Sequence, residues 1–109
     1  MEAIFELDRM LTDSKIPHVL RQQEGFRGAA WQIVYPNISE WEKGYGGDVV
    51  WNECSYGNKE GLLEAMGFDI TEEKDGDTVV GWLTAEDAYK YFERQFEKDS
   101  KNEDIRRSD

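Results

Sequence analysis

His18 and Cys54, the only histidine and the only cysteine in the chain, are its clearest candidates for catalysis. A thiol beside an imidazole is the pair that cysteine hydrolases use, because the ring takes the thiol proton and leaves the more nucleophilic thiolate. The sequence around Cys54 matches no hydrolase signature, and a cysteine in a β-rich segment more often fills the core. We keep a small hydrolase using this pair, or carboxylates, as an alternative and assign no catalytic residue.

The acidic segment 69–77 has the composition of a calcium-binding loop. If Gly76 takes the sixth position of such a loop, Thr71 comes first and Trp82 comes twelfth. An aspartate and a bidentate glutamate are needed at those two positions. The register therefore fails, and we predict no metal site and no cofactor.

Two glycine-containing segments could approach a phosphate group. Segment 44–47 precedes a predicted strand and lacks the Gly-Lys-Ser/Thr ending of a phosphate loop. Segment 55–59 joins a predicted strand to a predicted helix, where backbone N–H groups could hold an anion. Capping of the helix by Ser55 or Asn58 is the simpler interpretation. An alternative function, the binding of a nucleotide or metabolite, would use the side chains and backbone of Ser55, Tyr56, Gly57, Asn58 and Lys59.

Trp41 lies between two glutamates in a polar, glycine-rich segment, with Tyr45 close by in the sequence. Tryptophan and tyrosine are enriched at binding hot spots, so Trp41 is either an exposed contact residue or a lid that folds back onto the sheet. The sequence favours neither placement. The predicted partner-binding residues combine these two aromatics with the carboxylates of the acidic segment 69–77: Trp41, Tyr45, Asp69, Glu72, Glu73, Asp75 and Asp77.

The composition is strongly acidic, with 13 Lys and Arg against 24 Asp and Glu and a net charge of -11. Phosphates would repel such a chain, which argues against direct nucleic-acid binding, and an anionic membrane is disfavoured for the same reason. A basic host protein, which could itself bind nucleic acid, is the expected partner. One cysteine allows no internal disulfide, and no apolar leader or membrane span is recognisable, so we expect a cytoplasmic protein.

Local patterns predict an α+β fold: an antiparallel sheet of three to four strands, with about three helices packed mainly on one face. A first helix is expected near residues 2–14, followed by strands near 17–23, 31–35, 48–54 and 79–83. A second helix is expected from Asn58 to Gly67, and a third from Thr84, whose cap is completed by Asp87. Segment 37–47 is expected to be a mobile loop. Residues 1–96 form one domain, and 97–109 form a charged tail that frays; the oligomeric state stays open.

Several segments together resemble small uncharacterised phage and prophage proteins of Gram-positive bacteria. They are 55–67 (SYGNKEGLLEAMG), 79–87 (VVGWLTAED), 16–18 (IPH) and 31–36 (WQIVYP). The similarity covers residues 1 to about 95, and that group brings no assigned activity and no catalytic residues. The resemblance implies a phage-encoded inhibitor of a host defence nuclease, of the anti-CRISPR or anti-restriction kind, or another host-takeover factor.

Overall fold

The computed structural model describes residues 2–55, 57–68 and 79–107, with side chains as far as residue 101. Helix α1 spans Glu2–Asp13 and buries Ile4, Leu7 and Leu11 on one face. These residues recur at spacings of three and four, which is the period of a helix with one apolar stripe. The first predicted helix is therefore confirmed.

Five strands form one antiparallel sheet in sequence order, each paired with the next along the chain. They are β1 (Val19–Gln22), β2 (Trp31–Tyr35), β3 (Gly47–Trp51), β4 (Leu63–Met66) and β5 (Val79–Leu83). The α+β class and the antiparallel meander are confirmed, with one strand more than predicted. Edge strands β1 and β5 bound the sheet.

The extra strand is β4, and the helix predicted from Asn58 to Gly67 is wrong. Only Asn58–Glu60 is helical, as a single 3-10 turn, and Gly61 ends it at a φ of +71°. A short apolar run fits a strand as well as a helix, and here hydrogen bonding to β3 and β5 on both sides decides. The strand buries Leu63 and leaves Met66 39% exposed.

A second correction concerns segment 37–47, which contains a short helix, α2 (Ile38–Glu42), where a mobile loop was expected. The side chain of Asn37 caps it by accepting a hydrogen bond from the backbone N–H of Glu40 at 2.9 Å. An Asn followed by Glu at the third position is a helix-start pattern, so the sequence carried this signal. The glycine-rich turn that follows returns the chain to β3.

Helices α1 and α3 cover one face of the sheet. The core lies between these helices and the sheet and includes Ile33, Val49 and Phe92, which have 0% exposure. Residues of the strands alternate between the two faces, so the neighbours of these positions lie on the opposite face. That second face carries Gln32, Val34, Asp48, Val50 and Glu64, all of them buried.

The last helix, α3, runs from Ala85 to Arg107. Its start is the predicted capping box: Asp87 N–H donates to Thr84 Oγ1 at 3.1 Å, and Thr84 N–H donates to Asp87 Oδ2 at 3.3 Å. The boundary predicted at residue 96 falls within this helix. Beyond it, Asp99 accepts a hydrogen bond of 2.6 Å from the Tyr35 hydroxyl, which ties segment 97–101 to the sheet.

Within the described ranges, no helix combines the length and the apolar character that a membrane span requires.

Candidate binding surfaces

The second face of the sheet carries a chain of polar side chains that crosses three strands. Arg21 on β1 and Gln32 on β2 are paired in register, and Arg21 Nε donates to Gln32 Oε1 at 2.7 Å. The amide nitrogen of Gln32 then donates to Asp48 Oδ2 on β3 at 2.8 Å. An open groove of about 420 Å³ adjoins this chain and is lined by Arg21, Gln22, Gln23, Glu24 and Gln32.

Trp41 covers this row of polar side chains, because α2 places its indole over the second face of the sheet. The Arg21 guanidinium carbon lies 5.3 Å from the centre of the Trp41 ring, a cation–π distance. Trp41 also donates a side-chain hydrogen bond to Asp48. Trp41 is half-buried. Of the two placements that the sequence left open, Trp41 therefore has the second, a lid folded back onto the sheet.

Asp48 is the electrostatic centre of this group and is only 6% exposed. Burial raises the pKa of its carboxyl group above the usual 3.8, because the charged form loses its hydration. Hydrogen bonds from Gln32 and Trp41 act in the opposite direction. The nearby Glu64 carboxylate adds to the rise in pKa, while Arg21 opposes it. Burial therefore opposes the charged form of Asp48, its two donors favour it, and one of these donors, Trp41, belongs to α2.

Sequence reasoning missed this polar group. Polar residues that alternate with apolar ones along a strand normally mark the solvent-facing side. At Gln32 and Asp48 that alternation was present, but nothing local showed that α2 would cover them. Glu64 was missed for a different reason, since its segment was interpreted as a helix.

His18 and Cys54 are not brought together. His18 precedes β1 at the end of the sheet where Val19 pairs with Val34 and Val34 with Asp48, whereas Cys54 follows Trp51 at the opposite end of β3. Cys54 is exposed in a turn, so its predicted place in the core is wrong. The geometry supports no thiol–imidazole pair.

His18 has local partners that explain its position. Its Nε2 lies 2.8 Å from Asp8 Oδ1, and its Nδ1 lies 2.8 Å from the Ile16 carbonyl oxygen. The carboxylate and carbonyl oxygens are both hydrogen-bond acceptors, so each contact occupies one ring nitrogen. The contact with Asp8 joins α1 to the start of β1, which is a structural role.

The turn 55–61, the site of the alternative ligand pocket, is filled by its own contacts. Ser55 is 5% exposed, and its hydroxyl oxygen accepts from Asn52 N–H at 3.0 Å. The Asn58 N–H donates to the Ser55 carbonyl, and the Asn58 carbonyl accepts from Trp51 Nε1 at 3.2 Å. Gly57 has a φ of +83°, and an added Cβ would lie 2.9 Å from Leu62 Cβ. These N–H groups stabilise the turn itself, while Lys59 is exposed beside it.

The remaining predicted residues divide into exposed positions and positions outside the described residues. Tyr45 is 40% exposed in the turn between α2 and β3. The other large exposed apolar side chains among those described are Met66 at 39% and Trp82 at 59%. Tyr56 of the ligand alternative lies outside the described residues, as do the predicted partner-binding carboxylates Asp69, Glu72, Glu73, Asp75 and Asp77.

An acidic groove of about 460 Å³ lies between the start of α1 and the 3-10 turn. Its lining includes three exposed carboxylates, Glu2, Glu6 and Glu60, together with Ala3 and Gly61. In the part of the chain that is described, no three His, Cys, Asp or Glu side chains are arranged to hold a metal ion. The groove can therefore present negative charge to a cationic group without holding it in a defined cage.

A scan against protein-family models finds no match to the chain, and searches of curated proteins and of solved structures find no similar protein either. The resemblance to phage and prophage proteins therefore stays a prediction, and the function rests on the residues described above.

Proposed function

We propose that the chain is a protein-binding module without catalytic activity, which places an acidic surface against a basic partner protein. The net charge of residues 1–96 carries the proposal. The last 13 residues hold five acids and four bases, so residues 1–96 account for -10 of the total of -11. A charge of this size attracts basic partners at long range and repels anionic ones.

A nucleic-acid-binding protein is the class of partner that this charge fits best. Such proteins hold phosphates in channels lined with Lys and Arg, and a folded surface that carries carboxylates can occupy the same channel. Combined with the resemblance to phage proteins, this points to a host defence nuclease as the partner, inhibited in the host cytoplasm.

Exposed aromatic residues add apolar contact to this electrostatic attraction. Tyr45 and Trp82 are partly open to solvent on a surface that is otherwise rich in charge. Charge alone gives fast encounter and strong salt sensitivity, whereas buried aromatic anchors give lasting affinity. The two features together suit a stoichiometric inhibitor.

The test begins with affinity purification of the partner from host lysate at low salt. The dissociation constant of the purified complex is then measured between about 50 and about 500 mM salt, a range over which the screening length falls severalfold. We expect affinity to fall by about tenfold or more, and we expect nucleic acid to compete with the chain for the partner. Affinity that is independent of salt, with no competition, would rule the proposal out.

Two sets of variants separate the acidic groove from the overall charge. Each replaces three exposed glutamates by glutamine and so removes the same charge: Glu2, Glu6 and Glu60 in the groove, or Glu24, Glu53 and Glu97 elsewhere. Both sets should slow association, because steering depends on total charge. A larger loss for the groove set would assign the contact to that corner, and no effect of either set would contradict electrostatic docking.

A further inference from the structure

Trp82 is an exposed aromatic residue with an unfavourable backbone conformation. It lies on edge strand β5, it is 59% exposed, and its φ is +62°, in the left-handed region. A bulky side chain rarely adopts this region, because its Cβ approaches the following carbonyl oxygen. A large apolar side chain that is both strained and open to solvent contributes little to stability, so a role in binding is the better explanation.

The strain arises from a bulge in β5. Leu83 pairs with Leu63 and Val80 pairs with Ala65, so Gly81 and Trp82 together stand opposite the single residue Glu64. A bulge bends its strand and aims a side chain in a direction that regular pairing would not allow. Glycine adopts the left-handed region without strain. The bulge contains a glycine, Gly81, but the residue with the left-handed φ is Trp82.

One side of the Trp82 residue is braced, which gives the indole a defined orientation. Gly57 packs against it so closely that a Cβ at Gly57 would lie 3.2 Å from Trp82 Cα and 3.4 Å from Trp82 Cε3. Glu60, in the same turn, lines the acidic groove with Glu2 and Glu6. Trp82 and the acidic groove therefore adjoin the same turn, 57–61, which also carries Lys59 as its cation.

The charge and the bulge around Trp82 favour one of two possible binding partners, a second copy of the protein or a different, basic protein. A second copy of the chain would bring together two molecules of charge -11, which repel each other. The bulge also interrupts the hydrogen bonding that an edge-to-edge strand pair would need. A partner with basic residues around an apolar slot meets neither obstacle, since the slot takes the ring and the cations face Glu60 and its neighbours.

We propose that Trp82 is the anchor residue of the interface, inserted into an apolar slot that basic residues of the partner protein surround. The inference rests on the proposed function and adds the residue about which the contact is centred. A buried aromatic at the centre of an interface typically dominates its binding energy, while charges at the rim set its rate and salt dependence.

Peptide selection tests this without knowledge of the partner. A random peptide library is selected on the immobilised chain, and enriched peptides are synthesised and titrated against wild type and two variants. Trp82→Asn removes the ring but keeps a residue that tolerates the left-handed region. Ser39→Asn, an exposed and uncharged residue of α2 that lines no groove described above, is the matched control.

The expected result is that enriched peptides carry both basic and apolar residues. Their affinity should fall by about 30-fold or more for Trp82→Asn, the size of a hot-spot loss, and by less than about twofold for Ser39→Asn. Basic peptides that bind Trp82→Asn as tightly as wild type would overturn the anchor role and leave the proposed function standing. Enrichment of peptides without basic residues would overturn both.

Two further measurements guard the interpretation. The melting temperature of Trp82→Asn, and of Trp82→Gly as a second variant, should stay within a few degrees of wild type, because strain relief offsets the lost contact with Gly57. Unfolding of both variants would show that Trp82 is a structural residue and overturn the inference. Sedimentation of the wild-type chain as a dimer that Trp82→Asn dissociates would overturn it too, because a second copy would then be the occupant.

Discussion

Trp41 of α2 and Asp48 of β3 are joined by a hydrogen bond from the indole N–H to the buried carboxylate. Residue Trp41 is the part of α2 that reaches the second face of the sheet, and none of the five residues of this helix is fully buried. A helix this short has little stability of its own. Its position over the sheet therefore depends on a few side-chain contacts, and the predictions begin there.

Replacing Asp48 by asparagine should stabilise the protein at neutral pH. The pKa of Asp48 is higher in the folded protein than in the unfolded chain, so the folded protein binds this proton more tightly. The free energy of unfolding therefore falls as pH rises from the unfolded-state pKa to the folded-state pKa. Asparagine has no charge to desolvate. The advantage should be full above the raised pKa and should vanish as pH falls toward the ordinary value of 3.8. Urea unfolding across this pH range measures it, and a constant difference would contradict the assignment.

Replacing Trp41 by phenylalanine should destabilise the protein by about 1–2 kcal/mol, because a hydrogen bond to a charged group is lost. Chemical denaturation gives this value, and amide exchange in α2 should speed up at the same time. In the Asp48→Asn background the cost should be smaller, since a neutral amide oxygen is a weaker acceptor than a carboxylate. Equal costs in both backgrounds would show that the two side chains are not coupled.

Replacing Thr84 by alanine should cost about 1 kcal/mol of stability, because Asp87 N–H at the start of α3 loses its acceptor. Thermal or urea unfolding measures the loss. Thr84→Ser is the matched control, because it keeps the hydroxyl group and should stay close to wild type. If serine is as damaging as alanine, the methyl group rather than the cap accounts for the effect.

Replacing Tyr35 by phenylalanine should cost about 1–2 kcal/mol, because the buried hydroxyl loses its 2.6 Å hydrogen bond to Asp99. Amide exchange near the C-terminal part of α3 should also accelerate. Tyr89→Phe removes a hydroxyl that bonds Ser14 at 2.8 Å in an exposed setting, and its cost should be smaller. A loss for Tyr35→Phe no larger than for Tyr89→Phe would show that this end of α3 is not held by Asp99.

Of the candidate sites, the sequence predicted individual residues better than the groups they form. Tyr45, predicted to bind a partner, is 40% exposed, while Trp41, predicted with it, is half-buried over the sheet. The chain from Arg21 through Gln32 to Asp48 could not be predicted, because its members are separated by long stretches of sequence and meet only through strand register. Trp82 was assigned to an extended segment, but its left-handed φ follows from a mismatch between two strands.

By itself the sequence determined the elements whose patterns are strong and local. The apolar stripe of α1 and the capping box at Thr84 and Asp87 depend on residues within one or two helical turns, so they can be recognised without the rest of the chain. The same holds for the net charge and for the alternation in β2.

Only the tertiary structure decided the state of the short, ambiguous segments and the contacts between distant ones. Segment 63–66 became a strand because β3 and β5 offered backbone partners on both sides, and Trp41 became a lid because Asp48 and Arg21 lay beneath it. Weak local preferences of a few tenths of a kcal/mol per residue yield to such contacts. The strained exposure of Trp82 has the same origin, since strand register alone places it there.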